Sequence, residues 1–357
     1  MLDKKLKKMG FVQTDSDPCI YVATEGEMFV IAVHVDDIVL ATKSDERMVE
    51  VKKGLAEGFE GKDMGQLHHF LGVKVIQNPQ TGEVWIGQEA YAQRVLQKFG
   101  MENAKPINTP VDASSKLVKT TEDCEGVDQA QFQSAVGSLL YPSIMTRPDI
   151  TYAVSNVAKF CVNPSKQHWI AVKRIMRYLK GTLSLGLLYR KDGSSDCVGY
   201  SDADWAGDTD DRKSTSGYMF QISGAVISWR SKKQTCVALS TAEAEYMALA
   251  SAAQDAIWMR QLLTDLRNPP REPTRIFEDN QSAICLAKNP QFHGRAKNIG
   301  IKYHFIREQV EKGTVELQYC PTEEMVADML TKGLSRERFI KLRLMSGVTE
   351  MPHSACE

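Results

Sequence analysis

Two adjacent aspartates interrupt an apolar, β-type stretch near the start of the chain. Asp36 and Asp37 lie in VIAVHVDDIVLAT, residues 30–42, between two runs that are typical of β-strands. Neighbouring carboxylates repel each other, and a reason for such a pair is the binding of a divalent cation. A metal site of this kind usually needs a third ligand, which the pair alone does not supply.

Four further acids stand in strands and helices of the second half, where packing favours other side chains. They are Asp202, Glu245, Asp279 and Asp328. Burying isolated carboxylates would cost several kcal/mol each. Grouped around two divalent cations, they would activate a water and stabilise the leaving oxygen in phosphodiester cleavage. Oxygen ligands without a His/Cys cluster favour Mg²⁺ or Mn²⁺ over zinc. The competing interpretation is that each acid is a helix cap or a surface charge.

The helix predicted over residues 241–266 carries two acids with different expected roles. Ser240 precedes Glu243 by three residues, which is the spacing of a capping box, so Glu243 is interpreted as a cap. Glu245 lies on or beside the inward apolar stripe that contains Tyr246 and Leu249. Helix geometry therefore selects Glu245 as the acid without a structural role.

A basic stretch lies inside a chain whose formal net charge is only −1. Residues 150–191 contain eight Lys or Arg and no Asp or Glu, which indicates a surface facing a polyanion. The alternative is a solvated helix face. The candidate nucleic-acid contacts are Lys173, Arg177, Lys180, Arg230, Lys232, Lys233, Arg295 and Lys297.

The composition restricts the class of protein. The 357 residues are 43% hydrophobic and 25% charged, as in ordinary globular proteins. The eight cysteines show no C-x-x-C pair, so a zinc site and a disulfide framework are not expected. The sequence contains no apolar run of 18 residues, so a membrane span is not predicted. Reduced thiols predict a cytoplasmic or nuclear location.

The elements that would position the acids follow from periodicity. Residues 19–42 and 68–88 read as hairpins, and residues 45–59 and 89–100 as helices. Residues 131–190 read as mainly helical, with Trp169, Val172 and Met176 on one face of a basic helix. From residue 197, three strands followed by alternating helices and strands predict a mixed five-stranded sheet with flanking helices.

Long stretches of the chain resemble the Pol polyproteins of copia-type LTR retrotransposons. YSDADWAGDTDDRKSTSGYMF, STAEAEYMALASA, EDNQSAICLAKNP and ADMLTKGL are similar to the ribonuclease H domain of that family. HVDDIVLAT, HHFLGVKV, YAQRVLQKFGM and HWIAVKRIMRYLKGT are similar to the second half of its reverse transcriptase and the segment that follows. The resemblance covers nearly the whole chain.

The resemblance implies a role for both sets of acids. Asp202, Glu245, Asp279 and Asp328 match the catalytic carboxylates of a ribonuclease H fold, which agrees with the choice of Glu245 over Glu243. Asp36 and Asp37 match the paired aspartates of the polymerase palm. In the family this pair works with a third aspartate on an earlier strand, which has no counterpart in the residues printed. No DNA synthesis is therefore expected from this chain alone.

Four residues depart from the family's pattern. His34 stands where Tyr is usual, and Pro142 interrupts an apolar run, where inside a helix it would cost about 3 kcal/mol. Asn298 and Gly300 replace a His and an Asp, which removes a polar pair and predicts a less efficient ribonuclease H. Together these changes suggest a truncated element copy in early decay.

The resulting prediction is an α/β and α+β chain in four regions. They are a partial reverse transcriptase over 1–110, a linker and helical connection over 111–195, a ribonuclease H-like domain over 196–335 and a tail over 336–357. The predicted activity is two-metal cleavage of the RNA strand of an RNA/DNA hybrid. A non-catalytic nucleic-acid-binding protein and a decayed relic are the alternatives, and the sequence does not predict an oligomeric state.

Overall fold

The computed structural model describes residues 1–120, 127–194, 196–288 and 300–352. The chain forms two compact units, residues 1–67 with 254–273 and residues 68–253 with 274–357. In the described part of the chain, no helix is long and apolar enough to cross a membrane.

The first unit is built on a four-stranded antiparallel sheet whose strands follow chain order. Its elements are α1 Leu2–Lys8, β1 Phe11–Gln13, β2 Ile20–Ala23, β3 Phe29–His34, β4 Asp37–Thr42 and α2 Asp45–Ala56. Apolar side chains of the helices and the sheet share a core, in which the Phe11 and Phe29 rings pack edge to face at 5.4 Å. The hairpin predicted over 19–42 is present.

The second unit contains two five-stranded sheets with helices packed against them. Its elements are β5 His69–Phe70, β6 Val73–Gln77, β7 Val84–Gly87, α3 Glu89–Lys98, α4 Gln129–Met145, α5 Thr151–Ala158, α6 Lys166–Lys180, β8 Leu185–Tyr189, β9 Val198–Ala203, β10 Thr215–Ile222, β11 Ala225–Lys233, the first part of α7 Thr241–Asp265, β12 Thr274–Glu278, α8 Gln281–Lys288, α9 Gly300–Glu311, β13 Val315–Tyr319, α10 Arg336–Met345 and β14 Val348–Glu350.

The first of these sheets has the order β14-β8-β7-β6-β5 and is antiparallel throughout. Strand β8 lies in a segment that the sequence predicted to be mainly helical. A short apolar run such as SLGLLY fits either structure by periodicity. In the structure this run pairs with both β7 and β14, and a Cβ on Gly186 would come within 2.5 Å of the Trp85 ring of β7. Glycine therefore lets Trp85 cover the pair of strands.

Helix α4 continues through Pro142 and ends three residues later at Met145. Proline has no N–H, so the carbonyl of Ser138, one turn earlier, loses its helical partner. The hydroxyl of Tyr91 donates to that carbonyl at 3.0 Å. A side chain from α3 therefore compensates for the proline that the sequence marked as unfavourable.

The second sheet has the order β11-β10-β9-β12-β13. Strand β10 is antiparallel to both β9 and β11, whereas β12 runs parallel to both β9 and β13. The β10–β11 turn uses Ser223 and Gly224, both with positive φ, which is the backbone conformation that a two-residue type I′ hairpin turn requires. The predicted fold class, a mixed five-stranded sheet with flanking helices, is confirmed.

The end of the chain differs from the prediction in one element. The last helix of the predicted alternation of helices and strands, expected after residue 321, is replaced by two short 3₁₀ turns, Thr322–Glu324 and Val326–Leu330. The extended backbone of Met325, with ψ 94°, separates them and prevents a continuous helix. The residues beyond form α10 and β14, and β14 pairs with β8. The boundaries at 110, 195 and 335 stay a prediction.

Candidate active site

Asp202 lies on β9, the central strand of the second sheet, and its side chain is 1% exposed. The residue opposite on β10 is Gly217. A Cβ at that position would lie 2.8 Å from Leu330 Cβ and 2.7 Å from Thr331 Cγ2. Glycine thus allows the turn 326–330 to pack directly on the sheet, where the Thr331 hydroxyl donates to Asp202 Oδ2.

Helix α7 places Glu243 and Glu245 in the two different environments that the sequence predicted. Glu243 accepts a hydrogen bond from the Leu239 amide at 2.7 Å, and its own amide donates to Ser240 Oγ at 3.2 Å. It is therefore a helix cap. Glu245 is buried, and its Oε2 atom has no hydrogen-bond donor among the described residues.

Asp279 completes a group of three acids. It follows β12 directly. Because β12 runs parallel to β9, the ends of these two strands lie at the same edge of the sheet, which brings Asp279 close to Asp202. Thr322 donates a hydrogen bond to its Oδ2 at 2.7 Å. One oxygen each from Asp202, Glu245 and Asp279 lies within 4.8 Å of the others. The structure thus brings together three of the four predicted acids.

Asp328 lies beside this group, on the turn 326–330, and is fully buried. Its Oδ1 lies 2.6 Å from Lys332 Nζ, and its Oδ2 contacts Arg338. Lys332 Nζ also lies 3.4 Å from Asp202 Oδ2. Asp328 is therefore joined to the three-acid group through a lysine.

The pKa values record an excess of buried negative charge. Burial and the neighbouring acids Asp202, Glu278 and Asp279 raise the pKa of Glu245 well above its usual range. Burial and Asp202 raise the pKa of Asp328 to about 7, although Lys332 and Arg338 act in the opposite direction. Buried carboxylates that raise the pKa of their neighbours are typical of a cation site.

Sequence reasoning missed Glu278. It is fully buried, its Oε2 has no donor among the described residues, and burial raises its pKa well above the usual range. A signal was present, since Glu278 continues the buried stripe of β12 formed by Thr274 and Ile276. Sequence reasoning also missed Lys332 and Arg338, whose contacts depend on the close approach at Gly217.

Similarity to known proteins extends over nearly the whole chain. Residues 1–113 match the family model described as reverse transcriptase (RNA-dependent DNA polymerase). Over 346 residues the chain is 41% identical to the retrovirus-related Pol polyprotein from transposon TNT 1-94 of Nicotiana tabacum, covering 94% of this chain and 26% of that protein. It is 32% identical to a putative transposon Ty5-1 protein of Saccharomyces cerevisiae, covering 69% of this chain and 80% of that protein. The chain belongs to the copia-type retrotransposon Pol family.

The recognition made from the motifs is thereby confirmed, and this Pol chain spans about a quarter of the tobacco polyprotein's length. Among solved structures, a ribonuclease H1 isolated from compost aligns with 41% of this chain and 97% of its own, at 16% identity and a TM-score of 0.31.

The basic helix α6 of the Pol chain uses one of its three candidate residues within the protein. Arg177 Nε donates to the Lys105 carbonyl at 2.7 Å. Lys173 is exposed and lies 5.6 Å from the Trp169 ring, while Lys180 is half-buried. Lys173 and Lys180 are the members of this set that remain candidates for phosphate contact.

Strand β11 divides its candidates in the same way. Lys233 pairs with Asp208 at 2.6 Å and with Asp211 at 2.8 Å, whereas Arg230 and Lys232 are exposed at the sheet edge. Arg295 and Lys297 lie outside the described residues, and so does Asn298, which differs from the residue usual in the family.

The paired aspartates of the Pol chain lie in a different environment. Val35 and Asp36 form the turn between β3 and β4, Val35 has a φ of 53°, and Asp37 begins β4. Both aspartates are exposed. Within the described residues, no third acid, histidine or cysteine joins them in a group that could hold a metal.

Proposed function

We propose that this Pol chain is a ribonuclease H that hydrolyses the RNA strand of RNA/DNA hybrids with two divalent ions, Mg²⁺ or Mn²⁺. The observation that carries the proposal is the convergence within 4.8 Å of Asp202 on β9, Glu245 on helix α7 and Asp279 directly after β12. Family membership supports the reaction class, since the relatives are retroelement Pol proteins.

The donor set fits a hard divalent cation. All candidate ligands are carboxylate oxygens, which Mg²⁺ and Mn²⁺ prefer. Glu245 Oε2 is buried without a donor among the described residues, so it has an unused lone pair directed into the protein. A bound cation would act against the burial and the neighbouring acids that together raise the pKa of Glu245.

Asp202, Glu245 and Asp279 would hold one ion, and Asp202 together with Asp328 would hold the other. Such ions supply Lewis acidity and a water of lowered pKa for attack on phosphorus. The protein's part is to orient the ligands: Thr331 fixes Asp202, Thr322 fixes Asp279 and Arg338 fixes Asp328. Hydrogen bonds of this kind hold metal ligands in position in other enzymes.

The substrate would be held by its phosphates. Arg230 and Lys232 are exposed on the same face of β11, an edge strand of the sheet that carries the acids. Lys173 on α6 is also free of acidic partners among the described residues. Binding through such side chains is sensitive to salt and indifferent to sequence, and discrimination of a hybrid would rest on groove shape and 2′-hydroxyls.

The test is cleavage of a labelled RNA/DNA hybrid by the full chain, in Mg²⁺ and in EDTA, beside Glu245→Gln and Glu243→Gln. We expect cleavage in Mg²⁺ only, and a loss of at least about 100-fold in Glu245→Gln, since even indirect support of a metal ligand contributes 10–100-fold. Glu243→Gln is the matched control, because glutamine also completes a capping box. No cleavage by a folded chain, or equal loss in both variants, would refute the proposal.

We infer in addition that DNA synthesis is not an activity of this chain by itself. The support is the exposed Asp36–Asp37 pair, for which no third ligand is found among the described residues. Incorporation of nucleotides by the purified chain on a primed RNA template would overturn this inference. A folded chain that binds hybrid without Mg²⁺-dependent cleavage would instead support a non-catalytic binding protein.

A further inference from the structure

The ammonium group of Lys332 lies between the carboxylates of Asp202 and Asp328. Its Nζ is 2.6 Å from Asp328 Oδ1, and 3.4 Å and 3.5 Å from the two oxygens of Asp202. Thr331 and Arg338 each contact only one of these two carboxylates. Lys332 thus occupies the position from which a cation bridges Asp202 and Asp328.

The two halves of the acidic group differ in what neutralises them. On the Glu245 side, Asp202, Glu245 and Asp279 converge, and Glu245 Oε2 has no donor among the described residues. On the Asp328 side, an ion bridging Asp202 and Asp328 would need its oxygens at about 2.0–2.2 Å, which places it in the space that the ammonium fills. A monovalent and a divalent cation so close together repel strongly in a buried site.

The side chain of Lys332 has a route out of this space. It is 36% exposed, whereas those of Asp202 and Asp328 are 1% and 0% exposed. Lysine carries its charge on a flexible four-carbon chain, so its head can move to solvent while its backbone stays in place. Burial lowers the pKa of Lys332, but Asp202 and Asp328 raise it further, so the group is a cation at neutral pH.

We propose that Lys332 is a built-in cation that must leave Asp202 and Asp328 before a second divalent ion binds there. Given the metal use proposed above, ions then bind in order: the first at Asp202, Glu245 and Asp279, the second only by displacing Lys332. Lys332 is a positioning residue that sets the affinity of the second ion.

The experiment measures Mn²⁺ binding to the full chain without nucleic acid, by electron paramagnetic resonance of free Mn²⁺ and by calorimetry. The variants are Lys332→Gln, which removes the charge, and Lys332→Arg, which keeps it. Lys312→Gln is the matched control, since Lys312 forms an exposed pair with Glu308 at the same spacing, before the start of β13 and away from Asp279.

We expect the wild-type chain to show one tighter and one weaker step. Lys332→Gln should strengthen the weaker step about tenfold or more, and leave the tighter step within about threefold. Lys332→Arg and Lys312→Gln should behave like the wild type. An unchanged or weaker second step in folded Lys332→Gln would overturn the inference and leave Lys332 as a structural ion pair.

A second measurement needs no substitution. In the full chain labelled with ¹⁵N-lysine, the Nζ resonance of Lys332 should be unchanged during the first Mg²⁺ step and shift during the second. A resonance that never shifts while a second ion binds refutes the displacement. A wild-type chain that binds no Mn²⁺ refutes the proposed function itself, so the two failures are distinguishable.

Discussion

The turn that carries Asp36 and Asp37 and the sheet that carries Asp202 solve the same electrostatic problem in different ways. In the turn, two neighbouring carboxylates are exposed, and water screens their repulsion. In the sheet, acids distant in sequence converge in a buried space, where water cannot screen their repulsion. Only the second arrangement concentrates buried negative charge that a cation would neutralise. An obvious acidic motif is therefore a weaker indicator of a complete metal site than buried acids that converge.

Asp149 shows how a buried carboxylate is stabilised when the protein itself supplies the counter-charge. Asp149 is 1% exposed, yet Arg147 donates to both of its oxygens at 2.9 and 2.8 Å and Tyr178 donates at 2.6 Å. Burial raises the pKa of Asp149, but Arg147 lowers it further, and the net pKa is below the usual value. For Glu245 the balance is reversed, which sets the acidic group of the sheet apart from structural ion pairs.

The largest effect that distinguishes the turn from the sheet is expected on cleavage. Asp202→Asn should reduce Mg²⁺-dependent hydrolysis of the hybrid by about 1,000-fold or more, because Asp202 is shared by both of the proposed ion positions and each would contribute several kcal/mol. Asp36→Asn should leave the rate within about twofold. Single-turnover cleavage of a labelled hybrid by the full chain measures both.

Circular dichroism supplies the control, since both variants must retain the helix content of the wild type. Comparable losses in Asp36→Asn and Asp202→Asn would mean that the turn participates in hydrolysis, and the contrast between the two acidic regions would fail.

The second-largest effect is expected on the free energy of unfolding, when the counter-charge of Asp149 is removed. Arg147→Met removes the counter-charge and leaves a buried carboxylate whose only donor among the described residues is Tyr178, so the free energy of unfolding should fall by about 3–5 kcal/mol. Urea denaturation of the two variants measures it, with Lys312→Gln as an exposed ion-pair control that should cost less than about 1 kcal/mol. A loss as small as the control's would show that Asp149 is not held by Arg147.

A smaller effect follows from the raised pKa values in the sheet. Asp328 has a folded-state pKa of about 7, above the unfolded value near 4, so the folded state binds more protons between these values. Its contribution to stability is therefore complete at low pH and is lost as the pH rises towards 7. Between pH 5 and 7.5 in EDTA, Asp328→Asn should remove about 2 kcal/mol of this decline.

The difference between variants is the quantity to compare, because other groups titrate too. Burial lowers the pKa of His168, so its contribution to stability increases with pH over part of the same range. Asp208, with a pKa of about 2, loses its contribution only in stronger acid. Urea denaturation at each pH gives the slopes, and equal slopes for wild type and Asp328→Asn would contradict the pKa shift.

Local rules predicted much of the sheet and part of its acidic group. Alternation and turn residues gave β9 to β11, and the spacing from Ser240 separated the cap Glu243 from Glu245. The contacts of Lys332 and Arg338 could not be predicted, because they depend on an approach that Gly217 permits and on a 3₁₀ turn created at Met325. Strand β8 was missed because periodicity does not distinguish a short buried strand from a helix. Glu278 was accessible to prediction, as an acid within a buried stripe.

The smallest effect is expected where the acidic motif is most conspicuous. The double variant Asp36→Asn/Asp37→Asn should change the free energy of unfolding by less than about 0.5 kcal/mol, as for most exposed substitutions. Any change should be a gain, because the variant removes repulsion between neighbouring charges. Urea denaturation at low and high salt measures it, and the gain should shrink in high salt as the repulsion is screened. A loss above about 1 kcal/mol would mean that the carboxylates stabilise the turn through contacts of their own. Exposed acids would then contribute to the free energy of unfolding as buried ones do, and the contrast between the turn and the sheet would fail.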